Sequence, residues 1–162
     1  MTEMFPALGP LASLLGTWRG EGNGGYPTIG EFRYGEWMHF EHVGDPFLMS
    51  AQRSWLIADE APLHFERGFW RPGAAATDVE LTLAHPLGLT EVAQGTAGVD
   101  GEVTTIELVS HAIGRTTTGM AVSGLRRRYE IEGDSMRYEI DMATDATPMT
   151  RHLMATLRRA PA

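Results

Sequence analysis

The chemistry open to this chain has to come from His, Asp, Glu, Arg, Ser, Thr and Tyr, because the sequence contains no cysteine and no lysine. Without cysteine there is no disulfide, no thiolate nucleophile, no iron–sulfur cluster and no covalently attached c-type haem. Without lysine there is no Schiff base and no P-loop. The Gly-x-Ser-x-Gly motif of a serine hydrolase is also absent, so a nucleophile elbow is not predicted.

Histidines are the candidates for metal or haem ligation. The six are His39, His42, His64, His85, His111 and His152. No two of them have the i, i+4 spacing of a zincin helix, or the His-x-His spacing that places neighbours on one face of a strand. A metal site within one local segment is therefore not predicted. Convergence of three histidines from separate strands stays open.

An arginine run at 126–128, followed by Tyr129, could also carry function. On a strand, alternation directs Arg126 and Arg128 to one face, and Arg127 with Tyr129 to the other. The commoner arrangement of such a run is an outward, solvated stripe of charge. If the second face points inward instead, Arg127 and Tyr129 could hold a ligand carboxylate.

A glycine-rich run occupies residues 16–22, with the sequence Gly-Thr-Trp-Arg-Gly-Glu-Gly. It superficially resembles a phosphate-binding loop. Such a loop opens a helix, whereas Asn-Gly-Gly-Tyr-Pro follows here. We interpret the run as a bent first strand, in which the glycines allow the bend and Trp18 fills one end of a small barrel.

The elements that must position these residues are mostly short strands. Before them, Phe5, Leu8 and Leu11 recur at roughly helical spacing within residues 4–15, but Pro6 and Pro10 limit this segment to a short helical cap. Strand-like runs follow at 31–43, 46–57, 64–71, 79–84, 89–95, 103–111, 125–132, 135–143 and 151–159. In the first of these, Phe32, Tyr34, Met38 and Phe40 share one face.

Tight turns separate these runs. Asp100-Gly101 is a strong hairpin signal, and Gly133-Asp134 is a weaker one. A parallel sheet would need crossover helices for which the chain has no room. The predicted fold class is therefore all-β, a single antiparallel up-and-down barrel of about ten strands, similar to lipocalins and fatty-acid-binding proteins, with a short N-terminal helical cap. A barrel of this size can enclose a ligand.

Length and charge limit the partners. The 162 residues, with a mass of 17.8 kDa, suit one domain over residues 1–162. Thirteen basic residues against 21 acidic ones give a net charge of −8, so nucleic acid is not an expected partner. No apolar run is long enough to span a membrane, and the N-terminus lacks a signal-peptide pattern, so we expect a cytoplasmic protein that does not bind membranes.

The motifs of this chain resemble those of nitrobindins, a family of haem-binding barrels also described as peroxynitrite isomerases. Residues 16–22 match the family signature Gly-x-Trp-x-Gly-x-Gly. The likeness continues through Tyr-Pro-Thr-Ile at 26–29, His-Val-Gly-Asp-Pro at 42–46, Met-Ala-Thr at 142–144 and Pro-Met-Thr-Arg-His-Leu at 148–153. These segments occur in family order and at family-like spacing, so the resemblance covers nearly the whole chain.

The resemblance implies a barrel that holds one non-covalent haem b per subunit, with His152 as the axial ligand of the iron. It also implies that the iron binds nitric oxide, and that the ferric form converts peroxynitrite to nitrate with His152 acting through the iron. The cofactor-binding residues it implies are Thr28, His152 and, from the glycine motif, Gly16, Trp18, Gly20 and Gly22.

Strict alternation along 151–159 would direct Leu153 and Leu157 inward. His152 is therefore expected at the barrel rim, just after the loop that contains Pro148. Aromatic side chains could supply a flat apolar pocket for the porphyrin, and the candidates are Phe32, Tyr34, Trp37, Phe40 and Trp55.

The same barrel would also suit a haem-free carrier of a fatty acid or a similar apolar anion. In that alternative, Arg127 and Tyr129 would hold the carboxylate of the ligand. A homodimeric assembly stays open under both hypotheses.

Overall fold

The computed structural model describes residues 6–161 and contains ten antiparallel strands closed into a barrel. A 3₁₀ helix over Pro6–Leu14 precedes them. The strands are β1 (Gly16–Tyr26), β2 (Ile29–His42), β3 (Leu48–Leu56), β4 (Pro62–Pro72), β5 (Asp78–His85), β6 (Leu89–Asp100), β7 (Val103–Arg115), β8 (Val122–Glu132), β9 (Ser135–Thr144) and β10 (Thr150–Arg159).

Each strand pairs with its neighbours in the chain, and β1 also pairs with β10, which closes the barrel. Antiparallel neighbours joined in this way need no crossover connection. Gly101 and Gly133 have φ angles of 60° and 55° in the turns that were predicted around them, a conformation that glycine adopts without steric cost. The prediction of an all-β, up-and-down barrel is therefore confirmed.

One end of the barrel is closed by the 3₁₀ helix and by Trp18. Trp18 has no exposed surface, and its indole Nε1 donates a hydrogen bond of 2.8 Å to the carbonyl oxygen of Leu14. The guanidinium carbon of Arg159 lies 4.1 Å from the centroid of the indole ring. These contacts confirm that Trp18 fills one barrel end.

The helical cap is tighter than an α-helix and is broken at Gly9, where φ is 52°. Met4 and Phe5, with which the predicted cap begins, lie outside the described residues, as does Ala162 at the end of the predicted domain. Within residues 6–161, no helix is long and apolar enough to cross a bilayer.

Alternation sorts the side chains of β2 as predicted, except that its inward series contains a carboxylate. Tyr34, Met38 and Phe40 are buried, and Glu36 is buried between them with 1% of its surface exposed. Charged residues are rarely buried without a partner, so the surroundings of Glu36 become part of the site described below.

Trp37 and Trp55 were among the candidates for the walls of a haem pocket, but neither side chain faces the interior of the barrel. Both occupy outward positions in the alternation of their strands. The ring of Trp37 stacks on that of His39 at a centroid distance of 5.9 Å, and the guanidinium of Arg53 lies 4.8 Å from the Trp37 centroid. Trp55 covers Gly35, where an added Cβ would lie 2.5 Å from the indole.

Candidate functional site

The barrel opens, at the end opposite Trp18, into a cavity of about 410 Å³, which we call the barrel cavity. Its volume falls in the range of pockets for small organic ligands. Among the predicted aromatic residues, Phe32 and Tyr34 line it, whereas Phe40 lies deeper and packs against Trp70. The walls are mainly apolar and include Leu56, Leu87, Leu89, Val122, Leu125 and Ile140.

His152 enters the barrel cavity through a β-bulge in β10. Arg151 pairs with Asp141 and Leu153 pairs with Ile140, so His152 is an extra residue without a counterpart on β9. Strict alternation would place His152 and Leu153 on opposite faces, but both line the cavity. The bulge is the reason, because an extra residue in a strand redirects its side chain.

The ring of His152 is held in one orientation. Its Nδ1 lies 2.9 Å from the carbonyl oxygen of Gly25, and a carbonyl oxygen only accepts, so Nδ1 carries the proton. Tyr26 packs edge-on against the ring at a centroid distance of 5.5 Å. Burial lowers the pKa of His152. The favoured form is therefore a neutral imidazole with its lone pair on Nε2, which is the form that binds a metal.

Thr28 also reaches the barrel cavity. It follows Pro27 in the turn between β1 and β2, is exposed, and lines the same cavity as His152. Two predicted cofactor-binding residues, Thr28 and His152, are thus brought together by the closure of β1 on β10.

The glycine motif was expected to help bind the cofactor, but its members do not line the barrel cavity; they are Gly16, Trp18, Gly20 and Gly22. Two of these glycines instead allow the walls of the barrel to approach each other. A Cβ at Gly20 would lie 2.1 Å from the carbonyl oxygen of Thr156, and one at Gly22 would lie 2.5 Å from Cζ of Tyr34. The motif therefore allows the close packing of β1, and β1 in turn places the carbonyl group of Gly25 next to His152.

Arg127 points inward, so the expected outward stripe of charge is corrected at this residue. Its exposed fraction is 3%. The guanidinium donates to both carboxylate oxygens of Glu66, at 3.1 and 2.8 Å, and to both of Glu91, at 3.1 and 2.7 Å. Tyr129 lies deeper, edge-on to Trp70. Because two carboxylates already pair with Arg127, the fatty-acid carrier hypothesis lacks its anion-binding group.

Glu66 and Glu91 are kept ionised by this pairing. Burial is the largest single effect and would raise the pKa of each. The positive charge of Arg127, together with hydrogen bonds from His64 to Glu66 and from His85 and Arg127 to Glu91, outweighs burial and lowers both pKa values, that of Glu66 well below its usual range. Two histidines extend the network. His64 Nε2 lies 3.3 Å from Glu66 Oε1 and 3.2 Å from His85 Nδ1, and His85 Nε2 lies 3.3 Å from Glu91 Oε2.

Sequence reasoning missed this network, although its signal is visible. His85 continues the inward series of Leu81 and Leu83 along β5, and Glu91 lies between the inward Leu89 and Ala93 on β6. A titratable residue in an otherwise apolar inward series indicates a buried partner on another strand.

A second buried acid lies beside this network. Glu36 accepts a hydrogen bond of 2.6 Å from Gln52 Nε2 and another from the hydroxyl of Tyr138, which also contacts the hydroxyl of Tyr34. Burial raises the pKa of Glu36 to about 8, against the effect of these hydrogen bonds. Glu36 is therefore largely protonated at neutral pH.

We call the buried polar residues beneath the cavity the polar layer; they are Glu36, Gln52, Glu66, Glu91, Arg127 and Tyr138.

Comparison with known proteins identifies a family model and relatives that match this chain over nearly its full length. A family model described as the THAP4-like, haem-binding β-barrel domain matches residues 7–159. Peroxynitrite isomerase 2 of Mycobacterium marinum is 46% identical over 160 residues, which cover 97% of each chain. Peroxynitrite isomerase 1 of Mycobacterium tuberculosis is 44% identical over 163 residues, again covering 97% of each chain.

Solved structures share the fold. The crystal structure of Rv2717c from Mycobacterium tuberculosis matches with a TM-score of 0.91 and 43% identity, over 96% of this chain and 98% of that one. The S-type phycobiliprotein lyase CPES from Guillardia theta matches with a TM-score of 0.66 at 11% identity, over 94% and 91% of the two chains. The second likeness concerns the fold alone.

Proposed function

This chain belongs to the THAP4-like, haem-binding β-barrel family, and on that premise we propose that it binds haem b in the barrel cavity and isomerises peroxynitrite to nitrate. The relatives from Mycobacterium marinum and Mycobacterium tuberculosis carry the name peroxynitrite isomerase, and each is matched over 97% of its length. The observation on this chain that carries the proposal is the oriented, neutral imidazole of His152 at the wall of an apolar cavity.

The residues present fit a haem group. The cavity has apolar walls and an open end, which suits a flat, largely apolar ring. The absence of cysteine excludes the thioether attachment of a c-type haem and agrees with a non-covalent haem b. His152 Nε2 is the atom that would bind the iron, and Thr28 would offer its hydroxyl as a polar contact at the cavity mouth.

When bound, haem supplies an iron centre at which the peroxynitrite anion can rearrange to nitrate without a protein nucleophile. The residues of the chain itself would bind the haem and orient its histidine ligand. Gly25 fixes the His152 ring through Nδ1, which keeps the lone pair of Nε2 directed away from that bond and makes the nitrogen a better donor. The apolar walls exclude water from the reacting anion. We also propose that nitric oxide, a small uncharged molecule, binds to the same iron. We further propose that the protein is cytoplasmic.

A hemin titration of the apo-protein, followed by visible absorption, tests the proposal. Wild type should develop a sharp Soret band that saturates at one equivalent. His152→Ala should shift or lose this band, because the cavity then offers no imidazole to the iron. His111→Ala removes an exposed histidine on β7 and should behave as wild type.

Two results would contradict the proposal at different levels. An unchanged Soret spectrum in His152→Ala would refute the ligand assignment and leave haem binding intact. A spectrum of free hemin in all three proteins would refute haem binding itself. If haem binds, stopped-flow mixing with peroxynitrite should give faster decay and a higher yield of nitrate with wild type than with buffer alone.

A further inference from the structure

We propose that His64, Glu66 and His85 form a second metal site, with ligands other than the haem ligand His152 but in the wall of the same cavity, which takes a divalent transition-metal ion such as Zn²⁺. The three donor atoms are His64 Nε2, Glu66 Oε1 and His85 Nδ1, and they come from two neighbouring strands, β4 and β5. This site does not depend on haem binding or on peroxynitrite chemistry.

The spacing of the donor atoms carries the proposal. His64 Nε2 lies 3.3 Å from Glu66 Oε1 and 3.2 Å from His85 Nδ1, and Glu66 Oε1 lies 3.5 Å from His85 Nδ1. A tetrahedral zinc site with bonds of about 2.1 Å has edges of about 3.4 Å between its donor atoms. The three atoms therefore already form one face of such a tetrahedron.

The surroundings set the protonation state that a metal needs. His85 Nε2 lies 3.3 Å from Glu91 Oε2, on a carboxylate that Arg127 keeps ionised. An ionised carboxylate only accepts, so His85 Nε2 carries the proton and Nδ1 offers its lone pair to the triangle. This carboxylate–histidine arrangement is the one that commonly supports a metal ligand from behind.

The other two donors require little change. Two hydrogen bonds from Arg127 hold the carboxylate of Glu66 in place. His64 Nε2 has to be unprotonated, so its ring proton moves to Nδ1 through solvent, and no net proton is gained or lost. Two imidazoles with one carboxylate favour zinc and similar transition metals over Mg²⁺ or Ca²⁺, which prefer oxygen ligands.

Charge also favours a cation here. Glu66 and Glu91 contribute two negative charges and Arg127 one positive charge, so the buried group carries one net negative charge. A divalent ion would make it positive by one, which an anion from the cavity could balance. His64, Glu66 and His85 all line the barrel cavity, so the fourth ligand would come from that side. An open fourth position is typical of catalytic rather than structural zinc sites.

Titration of the metal-free, full-length protein with Co²⁺ tests the geometry, because four-coordinate Co²⁺ gives strong visible absorption bands. Competition by Zn²⁺ and elemental analysis after dialysis give the affinity and the stoichiometry. We expect one tightly bound equivalent in haem-free wild type, in which the cavity side of the site is open. His64→Ala is the principal variant, because His64 is the most exposed of the three side chains and its loss should disturb the fold least.

The expected loss of metal affinity differs from one variant to the next. His64→Ala and His85→Ala should lose stoichiometric binding. Glu91→Gln removes the carboxylate behind His85 and also weakens the pairing with Arg127, and it should weaken binding by about 10- to 100-fold. His152→Ala and His111→Ala are matched controls and should bind as wild type does. A rise in the melting temperature of wild type with Zn²⁺, absent in His64→Ala, should accompany binding.

Three results would overturn the proposal. They are the absence of a bound equivalent in wild type, Co²⁺ bands typical of an octahedral ion, and equal affinity in wild type and His64→Ala. A loss of metal in His152→Ala with retention in His64→Ala would likewise move the site to the haem ligand. Because the metal titration uses haem-free protein and the hemin titration uses metal-free protein, failure of the metal site and failure of haem binding are distinguishable.

Discussion

Replacing Glu36 by glutamine should remove a large part of the pH dependence of folding. Glu36 is buried in the polar layer, where it accepts hydrogen bonds from Gln52 and Tyr138. Burial raises its pKa from 4.5 to about 8. Glutamine has nearly the same shape as a protonated glutamate and can accept the same bond from Tyr138, but it does not titrate.

The size and sign of the effect follow from proton linkage. The folded protein keeps the Glu36 proton up to about pH 8, whereas the unfolded chain releases it near pH 4.5. Between these values the unfolded state binds fewer protons, so the free energy of unfolding falls as the pH rises. One pKa unit corresponds to about 1.4 kcal/mol, and the full change amounts to about 5 kcal/mol. The contribution is fully present below pH 4.5 and is lost above pH 8.

Urea unfolding, followed by tryptophan fluorescence, measures this effect at intervals from about pH 5 to pH 9. The free energy of unfolding of Glu36→Gln should be closest to that of wild type near pH 5, and should exceed it by an amount that grows steadily up to about pH 8 and then levels off. Other titrating groups are common to both proteins and cancel in the difference. Glu132→Gln, which changes an exposed carboxylate on β8, should run parallel to wild type. A constant difference between wild type and Glu36→Gln across the range would refute the reasoning.

Two further predictions concern the barrel wall and its closed end. Trp18→Ala should lower the free energy of unfolding by about 3–5 kcal/mol, because it empties a fully buried site. Trp37→Ala, on the outer face of the barrel, should lower it clearly less in the same urea experiment. Equal losses would contradict the conclusion that Trp18 fills one barrel end. Gly20→Ala should cost about 1–3 kcal/mol or more, because the new Cβ would lie 2.1 Å from a backbone oxygen. Gly98→Ala, where nothing lies within 4 Å of the new Cβ, is its control, and melting temperatures that fall equally for both would show that β1 can move away from β10.

The strands and their turns could be predicted from the sequence because their signals are local. The alternation along β2 is visible within a few consecutive residues, and the turns at Gly101 and Gly133 are each predicted from the glycine and its immediate neighbours. The orientation of Trp37 could also have been derived, since it alternates with the buried Tyr34 and Met38 on its own strand. Its assignment to a pocket counted the aromatic ring and ignored the face on which it lies.

The site could be predicted only in part, because it depends on pairings between strands. That His152 faces the cavity results from a bulge, and which residue of β10 is unpaired depends on its register with β9. The inward orientation of Arg127 depends likewise on Glu66 and Glu91, which lie 61 and 36 positions away in the chain. Without knowledge of those partners, an arginine on a strand is expected to point to solvent.

The polar layer also divides the barrel into two halves that can change separately. On the side of Trp18, the 3₁₀ helix and the tightly packed apolar side chains determine whether the chain folds. On the other side, the cavity walls and the turns at the open end determine which molecule enters. Because the polar layer lies between the cavity walls and the closed end, substitutions and changes of turn length at the open end act first on the cavity and not on the packing around Trp18. A barrel built in this way can acquire a new ligand during evolution while it keeps its stability.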